Sequence, residues 1–198
     1  FSHKIFFIIR NEDEQNFGVK KFIEKIMKEK YTNKKFEIQI LEKNTRGQAE
    51  TVLCCKKEID NDRPLVIFNN DTYFKSTRLK SRLLSMKNQN IDGILGIFNA
   101  NDPKYSFVEI DNEGIVVRTK EKEVISNFAS TGLYVFSKGS DFVKSAEYAI
   151  EKNILSKNEF YISELYNFLI KNGKKFTIDF ADEFAALGTP EDIKKFEA

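Results

Sequence analysis

The sequence predicts an α/β protein, a mostly parallel sheet flanked by helices with a β-rich insertion. Three observations predict it. In the first part of the chain strand-like runs alternate with helical spacing, the order that yields parallel strands joined by right-handed crossovers. The apolar runs at 5–9 and 65–68 stop abruptly in polar residues, as buried strands of such sheets do. The middle then shifts to short strands around a hairpin signal, Asp111-Asn112-Glu113-Gly114.

Taken in order, Ile5-Phe6-Phe7-Ile8-Ile9 reads as a strand covered on both faces, broken by the polar stretch from Arg10 to Glu14. Val19, Phe22, Ile23, Ile26 and Met27 recur at helical spacing and form one apolar stripe. Phe36, Ile38 and Ile40 alternate with polar residues, a second strand. Ala49, Val52, Leu53 and Ile59 suggest a second helix, and 65–68 a third strand, followed by a helix carrying Leu79, Leu83 and Leu84. Residues 93–98, 107–110, 115–117 and 133–136 supply the inserted strands. Helices follow near 140–152 and 161–172, the second capped by Gly173. A strand at 175–180 leads to Thr189-Pro190-Glu191-Asp192, where an N-cap threonine, a first-turn proline and a capping-box acid mark a helix start.

Composition narrows the function. A chain of 198 residues with 41% hydrophobic and 31% charged residues suits a single domain with its own core. A net charge of +2 argues against a dedicated nucleic-acid binder, which carries a strongly basic face. The two cysteines, Cys54 and Cys55, have neither disulfide-framework nor metal-ligand spacing and read as small hydrophobes, which suits a reducing cytoplasm. The early apolar run is too short to span a bilayer.

The stretch Leu65-Val66-Ile67-Phe68-Asn69-Asn70-Asp71 concentrates the chemistry. Ligands of open α/β sheets sit beyond the carboxyl ends of strands, and a carboxylate there can hold Mg²⁺ against a phosphate. All three polar residues also favour turns, so a plain turn explains the pattern equally.

Four separated segments together resemble the sugar-phosphate nucleotidyltransferases, or nucleoside-diphosphate-sugar pyrophosphorylases. They are Thr45-Arg46-Gly47-Gln48-Ala49-Glu50-Thr51, Phe68-Asn69-Asn70-Asp71, Glu121-Lys122 with Thr131-Gly132-Leu133-Tyr134, and Leu187-Gly188-Thr189-Pro190-Glu191-Asp192. The set looks most like a bacterial subgroup associated with capsule and surface-polysaccharide precursors. The resemblance implies a Rossmann-like, GT-A-like fold (nucleotide-diphospho-sugar transferase) over 1–198. It implies joining of a nucleoside triphosphate to a small phosphomonoester with release of pyrophosphate.

By the same resemblance Asp71 is a catalytic and metal-binding residue for Mg²⁺, and Lys122 neutralises the acceptor phosphate. Glu42, Gly47, Gln48, Arg10 and Asn70 fall on the nucleotide side. Tyr105, Glu121, Lys122, Thr131 and Gly132 fall on the acceptor side, with Tyr105 open to a packing role. No nucleophilic side chain is required, so His3 reads as structural. Partners are the two substrates, with no nucleic acid or membrane and with a homo-oligomer left open.

Two departures stand out. The family's opening strand and glycine-rich loop have no counterpart, so the chain is expected to lack the first strand. Ala186 stands where many relatives carry a second metal-binding aspartate, and Asp182 nearby is off register. Other readings stay open: a cytidylyltransferase using phosphocholine or phosphoglutamine, a metal-dependent glycosyltransferase, and a silent nucleotide-binding module. The glycosyltransferase reading has only one carboxylate where such enzymes usually show an Asp-x-Asp pair.

Overall fold

The structure, a computed structural model, describes residues 4–198; His3 lies outside them. Strands β1 (Lys4–Arg10) and β2 (Lys35–Leu41) form a parallel pair. Helices α1 (Asn11–Phe17) and α2 (Val19–Lys30) make the crossover between them, so the polar stretch after the first strand is itself helical. The next predicted helix is two short ones, α3 (Gln48–Leu53) and α4 (Lys56–Ile59), parted at the cysteines. Cys55 is buried there and Cys54 exposed.

Strand β3 (Leu65–Phe68) is followed at once by β4 (Thr72–Lys75), then α5 (Leu79–Ser85). Next come β5 (Gly93–Asn99), β6 (Ser106–Ile110), β7 (Val116–Glu121) and β8 (Phe128–Phe136). Helices α6 (Gly139–Glu151) and α7 (Ile162–Lys171), strands β9 (Phe176–Phe180) and β10 (Glu183–Ala186), and helix α8 (Pro190–Glu197) complete the chain.

The α/β class holds, with a central sheet flanked by helices. Its parallel character is narrower than expected. Among the described residues only β1–β2 and β5–β9 run parallel, and β3 pairs antiparallel with β8. The reason is tertiary: β8, 9 residues long and buried along almost its whole length, recruits three partners. Along one edge it carries β5. On the other it meets β6 at Ala129 and β3 from Leu133 to Phe136.

Alternate residues of these strands feed two apolar layers. Leu95, Ile97, Tyr134 and Phe136 pack with α6 and α7 through Phe142, Leu165 and Tyr166. Ile94, Leu133 and Val135 pack on the opposite face with Met86 and the α5 residues Leu79 and Leu83. Two-sided burial explains the unbroken apolar runs of β5 and β8, each large buried side chain contributing roughly 1.5–3 kcal/mol.

Strand β3 is not covered on both faces as its apolar run suggested. Leu65 and Ile67 face the core, but Val66 and Phe68 are 50% and 43% exposed. Among the described residues only one edge of β3 is paired. Likewise β1 is only half-buried, and among the described residues it pairs on one edge alone. No helix among the described residues is long and apolar enough to cross a membrane.

Candidate active site

The site arises where β8 changes partners. Between Leu95 and Ile97 of β5 the register shifts, and on β8 the residues Thr131, Gly132 and Leu133 lie between the paired Ser130 and Tyr134. Such a bulge turns side chains away from the ladder and is common beside functional sites. Here it also separates β3 from β6, and the gap is the cleft. Asn69 N–H donates to Gly132 O at 3.1 Å and Thr72 Oγ1 to Thr131 O at 3.0 Å, tying the end of β3 to the bulge.

The cleft has a volume of about 390 Å³. Of the residues expected on sequence grounds, Asp71, Lys122, Gln48, Tyr105, Glu121, Thr131 and Gly132 all line it. Asp71 stands just past β3, its carboxylate exposed and without a side-chain partner among the described residues; its backbone carbonyl accepts from Leu187 N–H at 2.7 Å. That bond brings Ala186, Gly188, Thr189 and Asp192 to the rim. Thr189 also caps α8, accepting from Asp192 N–H at 3.1 Å, so the predicted helix start serves the cleft wall as well.

On the opposite wall Glu121 and Lys122 are gripped by the first turns of α7. Asn167 pairs with Thr119 at both backbone groups, through 2.9 and 3.0 Å hydrogen bonds, imitating a neighbouring strand on the edge of β7. Glu164 accepts from Glu121 N–H at 3.0 Å, and Ser163 Oγ donates to Glu121 Oε2 at 2.8 Å. Ser106 Oγ donates to the same oxygen. Burial pushes the Glu121 carboxyl above its usual range, against the pull of both hydroxyls and Lys122.

Lys122 leaves the strand in a left-handed conformation, φ +54°, which costs a non-glycine residue about 1–2 kcal/mol. It is held by Lys122 N–H donating to Tyr105 O at 3.1 Å and Lys122 Nζ donating to Tyr161 Oη at 2.8 Å. The phenol hydrogen bond is the main reason the ammonium titrates above its ordinary value. Tyr105 both lines the cleft and packs edge-on against Phe98 at 5.1 Å and Phe184 at 6.1 Å.

On the third side Gln48 opens α3, its Nε2 donating to Asn69 Oδ1 at 3.3 Å while its buried Oε1 has no partner among the described residues. Gly47 lies behind it. A Cβ at Gly47 would stand 2.6 Å from Phe160 N, and φ of +134° suits glycine alone.

Besides Gly47, three expected residues do not line this cleft. Asn70 sits in the turn beside it, and Asn69 takes the lining position. Arg10 forms a two-pronged pair with Asp13 at 2.8 Å. Glu42 borders a separate hollow of about 240 Å³ with Asn11, Glu12 and Gln15. Asp182 turns away to Thr77 and Arg78. The sequence reading missed Ser106, Ser130 and Tyr161 in the cleft wall, none of which carries a local signal, and gave Tyr134 no role beyond its place in the 131–134 segment.

Among the described residues no three His, Cys, Asp or Glu side chains cluster as a protein-only metal cage. Mg²⁺ does not demand one, since it binds through one or two carboxylates with phosphates and water completing its shell. The unengaged carboxylate of Asp71, with Ala186 adding no ligand beside it, fits that minimal arrangement.

A family model described as nucleotidyl transferase matches residues 3–196. No curated protein sequence matches the chain. Among solved structures the chain is similar to the nucleoside-diphosphate-sugar pyrophosphorylase from Vibrio cholerae, at 28% identity and a TM-score of 0.80, covering 98% of this chain and 80% of that one. A UDP-glucose pyrophosphorylase complexed with UDP-glucose shares the fold at 17% identity and TM-score 0.71, with 98% and 78% covered. So does the inositol-1-phosphate CTP transferase from T. maritima, at 14% identity and TM-score 0.70, with 98% and 74% covered.

Proposed function

The chain belongs to the nucleotidyl transferase family, and from that premise we propose that it joins a nucleoside triphosphate to a sugar 1-phosphate and releases pyrophosphate. A role in making surface-polysaccharide precursors in the cytoplasm accords with the motifs. The observation that carries the reading is that Asp71 and Lys122 line one cleft, reached from a strand end and from the inserted ribbon.

An oxygen of the acceptor phosphate attacks the α-phosphorus. The new O–P bond forms as the bond from the α-phosphorus to the bridging oxygen breaks, and that oxygen leaves with pyrophosphate. Two polyanions must be aligned, so catalysis is mainly positioning and charge neutralisation. Lys122 neutralises the acceptor phosphate. Glu121 and Ser106 form a hydroxyl-reading wall for the sugar. The free Gln48 Oε1 accepts from an amino or imino group of the base. Asp71 would hold Mg²⁺, which when bound screens phosphate charge.

Incubating the protein with Mg²⁺, each nucleoside triphosphate and a panel of sugar 1-phosphates, phosphocholine and phosphoglutamine tests the reading. Pyrophosphate release is expected with a sugar 1-phosphate and is lost in Asp71→Asn and Lys122→Ala. Absence of release from every pair refutes it, and release with phosphocholine alone moves the acceptor out of the sugar class.

A further inference from the structure

Lys122 is an exposed side chain with a long flexible stem, yet its ammonium has a hydrogen-bond partner in the cleft wall. Its partner is Tyr161, a buried residue at the N-cap of α7 whose backbone is extended, φ −85° and ψ 144°. The phenol accepts from Lys122 at 2.8 Å and donates to Glu159 Oε1 at 3.1 Å. With its proton committed to Glu159, the oxygen presents a lone pair to the ammonium. The two remaining ammonium N–H groups are left for an anion in the cleft.

The segment that carries Tyr161 is fixed independently. Phe160, 1% exposed, donates its N–H to Arg46 O at 2.9 Å, and its carbonyl accepts from Ala49 N–H at 2.9 Å. The same backbone excludes any side chain at Gly47. Three successive residues therefore touch both sides of the cleft: Phe160 clamps the Gly47–Gln48 loop, while Glu159 and Tyr161 hold Lys122.

We propose that Tyr161 is a positioning residue for Lys122, set by Glu159 and braced through Phe160 against the loop that carries Gln48. The inference rests on the reading of Lys122 as the phosphate-binding cation. Without the phenol, Lys122 keeps its charge but spreads over many rotamers, and a phosphate must immobilise it on binding. That weakens phosphate binding by about two- to tenfold, the span expected for one long side chain.

The test uses the full chain with inorganic phosphate as the probe and lysine ε-carbon NMR as the readout, Lys122 being assigned from Lys122→Arg. In the wild type, phosphate is expected to shift the Lys122 signal. In Tyr161→Phe the signal should move to the averaged position of solvent lysines and the dissociation constant should rise two- to tenfold, with the rest of the spectrum unchanged. Glu159→Gln, which keeps the phenol but not its anchor, should fall between the two, and it carries the test if Tyr161→Phe does not fold.

Unchanged phosphate affinity and an unchanged Lys122 signal in these variants overturn the positioning role and leave the phosphate-binding reading of Lys122 standing. Phosphate that leaves the wild-type Lys122 signal unmoved overturns both.

Discussion

Replacing Gly47 by alanine probes the contact between the two walls of the cleft directly. The new Cβ meets Phe160 N at 2.6 Å and Phe160 O at 2.8 Å, and both are backbone atoms that cannot swing aside. At φ +134° and ψ 177° the residue also occupies a region essentially closed to other amino acids, a cost of about 1–3 kcal/mol. If the loop shifts to relieve the overlap, it loses the Phe160 N–H to Arg46 O and Ala49 N–H to Phe160 O bonds, each about 1 kcal/mol. Together these come to about 3–5 kcal/mol. For a domain of this length the melting temperature should fall by about 6–20 °C.

Gly114→Ala is the control. Its φ is +78°, but nothing lies within 4 Å of the added methyl, so it carries the conformational penalty alone, about 1 kcal/mol or roughly 2–4 °C. Thermal unfolding of both variants by circular dichroism separates strain from collision. If Gly47→Ala melts no lower than Gly114→Ala, the clamp between Phe160 and the 45–49 loop is not there.

Asp71→Ala should leave thermal stability within about 0.5 kcal/mol of wild type, because the carboxylate is exposed and has no side-chain partner among the described residues, while pyrophosphate release falls by about 10²-fold or more. Stability falling together with activity would give Asp71 a structural role. Tyr166→Phe should cost about 1 kcal/mol in urea unfolding with an unchanged m value, since it removes the hydrogen bond that the buried hydroxyl donates to Val135 O at 3.2 Å. Glu121 is raised by burial, so in the window from its ordinary value up to its folded one the native state holds more protons than the unfolded chain. Its contribution is therefore complete below that window and lost as pH rises through it. Glu121→Gln should remove this decline, read as a stability difference between variant and wild type that grows in the variant's favour from acid toward neutral pH; a difference that stays flat would contradict the burial of Glu121.

Local pattern made much of the fold legible. The spacing of Val19, Ile23 and Met27 marks α2, the run at 65–68 marks β3, and Thr189-Pro190 marks the start of α8, because these signals lie within a turn or two of chain. What was not legible depends on distant pairing. Strands β4 and β10 are four residues each and stabilise one another across a long stretch of intervening chain, so neither shows a pattern alone. The direction of β3 is set by β8 rather than by the order of preceding elements.

The site divides in the same way. Asp71, Gln48 and Glu121-Lys122 stand in recognisable motifs, whereas Tyr161 reaches the cleft wall and Asn167 braces Thr119 behind it only because α7 lies along β7. Glu42 sits close to the 45–51 motif along the chain and Arg10 directly after an apolar run, but both stand at the ends of β1 and β2, away from the gap in β8 that forms the cleft.

Strand β8 has a consequence for synthesis of the protein. The core strands made before it, Leu65–Phe68 and Gly93–Asn99, find their shared neighbour only when Phe128–Phe136 has left the ribosome. Until then their apolar side chains are on a nascent chain with no sheet to join, and pairings so distant in sequence form slowly. Pauses in translation before β8 has emerged should therefore lengthen the period in which the chain depends on chaperones.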